Sequence, residues 1–184
     1  MSESGSHEIK VLYDAETIEQ KVSELGERIE AAHSGDGLLF ISIVGGSVVF
    51  LADLIRAVSG PVRYETVQVV YSAAGQQGDL LEIQYPISLD VKDQPVVIVK
   101  DVVSTGVPES YLINQFLQRQ VERVQIAALI DLPEVRRVDV VADYSVFTPK
   151  RLGTFVGYGL KHEGRYGNLP YLGRIVTDGE SQPS

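Results

Sequence analysis

The chain has 184 residues, 44% of them hydrophobic, enough for one well-buried core and too many for a disordered segment. A net charge of −9 and a pI near 4.8 exclude a general nucleic-acid binder, which needs a basic face. The absence of cysteine excludes disulfides and thiolate metal sites.

Both ends are polar and rich in Ser, Gly and acid, so residues 1–8 and 177–184 read as flexible tails on a single domain over 9–176. The opening MSESGSHEIK is not a signal peptide, and no apolar run approaches membrane-spanning length. The expectation is a cytoplasmic protein without membrane or nucleic-acid partners.

Asp14 predicts a capped helix carrying Ile18, Val22, Leu25 and Ile29 at helical spacing. Leu38–Val44 (LLFISIV) follows as a strand apolar on both faces. Gly45-Gly46-Ser47 then leads into a helix over Val48–Val58, closed by Ser59-Gly60-Pro61. Val62–Val70 predicts a strand, Tyr71–Asp79 a mobile loop, and Leu80–Ile87 an antiparallel return. Pro95–Val103 is a second buried strand and Glu109–Gln120 a helix. Val124–Asp131 and Val138–Tyr144 read as further strands, and Thr154–Leu160 as the one that closes the sheet.

Strands alternating with helices predict an α/β fold, a mainly parallel sheet with helices on both faces. Ligands of such folds bind beyond the carboxyl ends of the strands. Three ends therefore matter: Gly45-Gly46-Ser47, Lys100–Ser110 and Asp131-Leu132-Pro133. The stretch VVIVKDVVSTGVPES (Val96–Ser110) has the shape of a strand, a turn and a helix whose free N–H groups hold a phosphate. Its binding candidates are Lys100, Asp101, Ser104, Thr105, Gly106, Val107, Pro108 and Ser110. Read as residues alone, Lys100-Asp101 is as readily a polar strand end. Pro108 with Glu109 makes better helix-opening chemistry than a phosphate cradle.

FLADLIRA (Phe50–Ala57), VVIVKDVVSTG, LIDLPEVRRVDV (Leu129–Val140), VGYGL (Val156–Leu160) and NLPYLG (Asn168–Gly173) occur in order between Ile9 and Ile175. Together they resemble the hypoxanthine-guanine phosphoribosyltransferases. The resemblance implies a type I phosphoribosyltransferase fold with a small hood. It also implies transfer of ribose 5-phosphate from phosphoribosyl diphosphate to a purine, magnesium on the diphosphate, and a homo-oligomer, dimer or tetramer.

Residue by residue, the resemblance also implies a degenerate site. Lys100-Asp101 stands where the family has two acids for the ribose hydroxyls, and Ser104 where it has an aspartate near the purine N7. A serine cannot act as a base near neutral pH. Pro108 and Glu109 replace Thr and Leu, so the cradle loses an N–H and gains a negative charge. The diphosphate loop is Val44-Gly45-Gly46 without its lysine. On the flexible loop the family's Ser-Tyr pair is transposed as Tyr71-Ser72. In the base pocket Leu132 takes the place of a lysine and Thr154 that of the stacking aromatic, with Phe155 adjacent. Lys161 replaces an acid and Gly167 an arginine, Arg165 being close.

The expected function is a homologue with weak or no transferase activity that binds a nucleotide-like or anionic small ligand, or a protein partner. Magnesium is expected only if transfer survives. Two other readings compete: an active transferase with an unusual acceptor, and a structural subunit of an active paralogue. His7, His33 and His162 read as scattered surface residues, Gly45-Gly46 lacks the full dinucleotide glycine pattern, and Arg136-Arg137 and Lys150-Arg151 read as solvated basic spots.

Overall fold

A strand apolar on both faces must be covered on both, and two such strands form the middle of the sheet. β1 (Ile9–Tyr13) opens the chain. β2 (Leu39–Ile43) is buried throughout. β3 (Arg63–Ala73) runs parallel to β2 on one side, and β4 (Asp79–Gln84) pairs antiparallel with β3. On the other side of β2 lies β5 (Pro95–Val103), parallel, with Leu39 opposite Val96. β6 (Arg123–Asp131) and β7 (Tyr144–Phe147) continue in parallel, so the order is β4-β3-β2-β5-β6-β7. This computed structural model describes residues 7–33, 38–73, 79–84, 86 and 89–176, and for 70–83 the backbone alone.

α1 (Ala15–Ala32) begins as predicted, with the Thr17 N–H donating to the Asp14 carboxylate at 2.8 Å. Its Ile18, Val22, Leu25 and Ile29, with Phe50 and Leu54 of α2 (Ser47–Arg56), cover one face over Phe40, Val97 and Val99. On the other face Leu112 and Phe116 of α3 (Val107–Gln118) pack with Leu39, Ile98 and Ile126. Helices on both faces of a mainly parallel sheet are thus the observed architecture. No described helix is long and apolar enough to cross a membrane.

The hood is a separate antiparallel sheet in the order β1-β9-β8, with β8 at Phe155–Val156 and β9 at Leu172–Ile175. Thr154–Leu160 therefore does not close the main sheet. Gly157 and Gly159 have φ of +91° and +94° and turn the chain at once, Gly157 and Leu160 exchanging backbone hydrogen bonds at 3.0 Å. Val138–Tyr144 is not a strand either. Its alternation is interrupted by a tight turn, Val140 N–H to Val138 O at 2.9 Å, and the strand begins at Tyr144. The predicted loop over Tyr71–Asp79 is shorter than expected, because β3 runs to Ala73 and β4 starts at Asp79; residues 74–78 lie outside the described residues. α3 starts at Val107, two residues before its predicted start at Glu109, because Gly106 takes the left-handed conformation and turns the chain directly into it.

The Tyr158 hydroxyl donates to the Asp53 carboxylate at 2.5 Å, tying the hood to α2, and Asp53 also pairs with Arg56. Burial, then the Asp53 carboxylate, pushes the phenol well above its ordinary range, so it stays a donor. Tyr158→Phe keeps the ring and removes this bond. It should cost about 1–2 kcal/mol, a fall of about 2–8 °C in a thermal melt. An unchanged melting temperature would mean that the bond contributes nothing net.

Candidate functional site

The strand ends converge through backbone contacts. The turn after β2 is set by Ser47, whose buried hydroxyl donates to the Ile43 carbonyl at 2.5 Å and lies 2.9 Å from Ser42 Oγ. That turn aims the Gly46 N–H at Asp101 Oδ2, 2.9 Å away at the end of β5. A Cβ on Gly46 would stand 2.7 Å from that oxygen and 3.0 Å from the Gly159 carbonyl, so the close approach requires glycine. The hood hairpin is the third wall, Gly159 N–H donating to Gly167 O at 2.9 Å.

Asp101 has three partners. Besides Gly46, the Val102 N–H donates to its Oδ1 at 2.9 Å, and Lys100 forms an ion pair with the same oxygen. The two side chains are 18% and 12% exposed, so this pair is shielded and not a loose surface contact.

At the next turn, Ser104 and Thr105 are half-buried and Gly106 (φ +79°) opens α3. Val107 N–H meets Thr105 Oγ1 at 3.4 Å, Pro108 has none, and Ser110 N–H goes to Gly106 O at 2.9 Å. Glu109 is only 1% exposed. Burial pushes this carboxyl above the ordinary glutamate range. Its own N–H, Lys100 and Arg136 oppose the shift, and Asp101 adds to it.

An acid held above its unfolded-state value binds its proton more tightly when folded. The stability it contributes is present at acid pH and lost as pH rises through the folded-state value. Glu109→Gln, neutral throughout, should therefore gain stability relative to the parent as pH rises above the ordinary glutamate range. Chemical denaturation along that rise reads the difference, and a flat difference would refute the assignment.

Arg136 corrects an expectation. It is not solvated surface: its side chain is 12% exposed and pairs with Asp131 at the end of β6. Its Nη1 is buried without a hydrogen-bond partner. The dipeptide RR hides this, because only the short 3-10 turn Pro133–Val135 brings the first arginine back over the strand end while Arg137 N–H bonds Thr105 O at 2.9 Å. Glu109 was legible as a charge at the cradle but not as a buried one.

In the expected base pocket, Leu132 and Phe155 are both buried in the core, while Thr154 is exposed. The hollow beside Leu132, bordered by Pro133, Glu134 and Lys150, holds about 90 Å³. Ligand pockets usually have about 300–1,000 Å³. Lys161 is exposed, and a Cβ on Gly167 would stand 2.8 Å from its Cγ, so the lysine stem lies where the expected arginine would begin. Gly45 is exposed. Tyr71 and Ser72 pair through the backbone with Leu81 and Leu80, and their side chains lie outside the described residues. His7 and His162 are not scattered, since their rings meet edge-on at 5.1 Å. A larger hollow of about 620 Å³ between α1, α2 and the hood is bordered by Gly167 and by none of the other candidate residues.

Magnesium does not fit these residues. The Asp101 carboxylate is paired with Lys100 and accepts from two N–H groups, and Lys161 brings a second cation.

The profile of the phosphoribosyl transferase domain matches residues 8–162. The hypoxanthine-guanine phosphoribosyltransferase of Streptococcus agalactiae serotype V is 33% identical over 92% of this chain and 94% of its own. That of Bacillus subtilis is 32% identical over 91% and 93%. The solved Bacillus anthracis enzyme with a HEPES molecule in its active site superposes with a TM-score of 0.83 at 30% identity, covering 94% of this chain and 100% of that one. A Trypanosoma cruzi hypoxanthine phosphoribosyltransferase mutant in a ternary substrates complex gives 0.83 at 28% identity, with coverage of 92% and 96%. The sheet order, the hood and these matches agree: the chain belongs to the phosphoribosyltransferase family and is a homologue of its hypoxanthine-guanine members.

Proposed function

We propose that this chain keeps the phosphoribosyltransferase frame as a binding site and has lost most or all of the transfer chemistry. The observation that carries the reading is the closed state of Asp101. A carboxylate that already accepts from Gly46 and Val102 and is paired with Lys100 has little left for ribose hydroxyls or a metal-bound diphosphate. Ser104 supplies a hydroxyl where proton abstraction needs a base, a loss typically of about a hundred- to ten-thousand-fold. The small hollow at Leu132 and the buried Phe155 ring support the same reading.

The test is a transferase assay with phosphoribosyl diphosphate, magnesium and hypoxanthine or guanine, run beside the Bacillus subtilis homologue. Turnover at least about a hundredfold below the homologue is expected. Comparable turnover would refute the proposal.

A further inference from the structure

Helix α1 turns an acidic face to solvent. Glu16, Glu19, Glu24 and Glu27 border a shallow groove of about 450 Å³ along it. Lys21 and Gln20 engage Glu24, but among the described residues no ion pair or hydrogen bond holds the side chains of Glu16, Glu19 or Glu27. Alone, such a face is ordinary solvated surface. What sets this one apart is its continuity with the hollow between α1, α2 and the hood, which holds about 620 Å³ and shares Glu19 and Ser23 with the groove.

The hollow has the size of a ligand pocket and an apolar lining. Ile18 and Val22 line its α1 side, Val49 and Ala57 its α2 side, and Leu169 and Pro170 its hood side. Val49 is 38% exposed, so apolar surface there is left open to water. Three elements make these walls, and they are tied together. The Tyr158 hydroxyl joins the hood to Asp53 of α2. α1 meets the end of α2 so closely that a Cβ on Gly26 would stand 2.6 Å from the Ala57 Cβ. The hollow is therefore formed in advance, and an occupant does not have to order it.

Charge and length select the occupant. Of the residues bordering the two hollows, Arg56 is the only cation, and Asp53 pairs with it. Lys161, whose stem crosses Gly167, stands at the hood end, so the unpaired acid lies along α1. From Glu16 to Glu27 the groove runs about 16 Å, at roughly 1.5 Å per residue of helix. About five residues of extended chain have that length. A small molecule seated in the hollow would leave the groove uncovered. A second copy of the chain carries the same charge of −9 and is repelled overall, whereas a cationic partner is drawn in.

We propose that the hollow and the acidic face of α1 form one docking groove for a basic segment of a partner protein. The segment lies extended, with a large apolar side chain in the hollow and its Lys or Arg side chains over Glu19 and Glu27. No residue of Lys100–Ser110 borders either hollow, so this surface is separate from the transferase site, and the failure of one reading leaves the other standing.

The experiment is a fluorescence anisotropy titration of the full chain with the labelled peptide Trp-Leu-Lys-Lys-Ser-Lys. Two control peptides carry Ser-Ser in place of Trp-Leu, or Glu in place of every Lys. The parent should bind the first peptide at least about tenfold more tightly than the Ser-Ser control, as burying a large apolar side chain implies. It should bind the Glu control more weakly still, and the affinity for the first peptide should fall as salt is raised. Glu19→Lys reverses the charge at the junction and should weaken the first peptide by about tenfold. Ser23→Trp plugs the junction and should remove the advantage of Trp-Leu over Ser-Ser. Both positions are exposed on α1, so both variants should keep the parent's melting temperature within a few degrees. Equal binding of the first peptide and the Ser-Ser control would reduce the effect to general attraction by an acidic protein and overturn the proposal. So would peptide affinities unchanged in both variants, or no binding at all. Sedimentation of the parent and Ser23→Trp reads the remaining occupant: self-association lost in Ser23→Trp, with no peptide bound by the parent, would assign the groove to a second copy and overturn the proposal as well.

Discussion

Gly159→Ala is expected to destabilise the protein by about 3 kcal/mol or more, a fall of roughly 6–12 °C in melting temperature. Two costs combine at this position. The backbone has φ of +94°, which an L-residue adopts only with strain of about 1–3 kcal/mol. The added Cβ would also stand 2.3 Å from the Gly46 carbonyl oxygen, a backbone atom that cannot swing aside. Gly164→Ala separates the two terms. Its φ is +74°, yet a Cβ there meets nothing within 4 Å, so only the conformational cost of about 1–2 kcal/mol applies. Equal losses for the two variants would show that the hood does not press on the Gly45-Gly46 turn. The larger loss at Gly159 should also disturb the site, since moving Gly46 withdraws the N–H that holds Asp101 Oδ2.

The parts of this fold that were legible in the sequence are those where burial dictates composition. LFISI and VVIV read as inner strands because helices cover both of their faces. Asp14 announced α1 because its side chain bonds an N–H three residues away, a local fact needing no tertiary knowledge. The hood was not legible as a separate sheet. β8 is two residues long and pairs with β9, which pairs with β1 from the far end of the chain. No window of sequence contains those partners. VDVVADY failed for a different reason: its alternation is real, but Val141 is 73% exposed, and the segment lies on a turn beside α3 instead of on the sheet. At the site, residue types were readable and their ionic state was not. That Lys100 closes on Asp101, and that Arg136 folds back to Asp131, depends on strand ends meeting in space.

Restoring the four cradle and acid positions together, Lys100→Glu, Ser104→Asp, Pro108→Thr and Glu109→Leu, should recover magnesium-dependent binding of phosphoribosyl diphosphate at least about tenfold above the parent. The structure gives the changes an order. Lys100→Glu alone removes the partner of Asp101 and leaves Arg136 facing Asp101, Asp131, Glu109 and a new acid, so that single variant should be the least stable of the set. Glu109→Leu relieves that excess and lets an apolar side chain occupy a buried position. Pro108→Thr then returns an N–H and a hydroxyl to the turn, and Ser104→Asp a base. The four changes share neighbours, so their effects should be strongly non-additive. Turnover with hypoxanthine should stay low, because the hollow at Leu132 and the buried Phe155 are untouched. Gly45→Lys should add to binding at little cost, as a Cβ there lies 3.5 Å from Asp101 Oδ2, an ordinary contact. Leu132→Lys is different: Leu132 is 8% exposed within the core, so the lysine must lead its ammonium out past Glu134 and should lower stability even where it raises turnover. Calorimetry with and without magnesium reads the binding, and a coupled assay the turnover. A folded four-site variant that binds phosphoribosyl diphosphate no better than the parent would mean that the Ser104-Thr105-Gly106 turn is not a closed phosphate cradle, because every feature that closes it would have been removed.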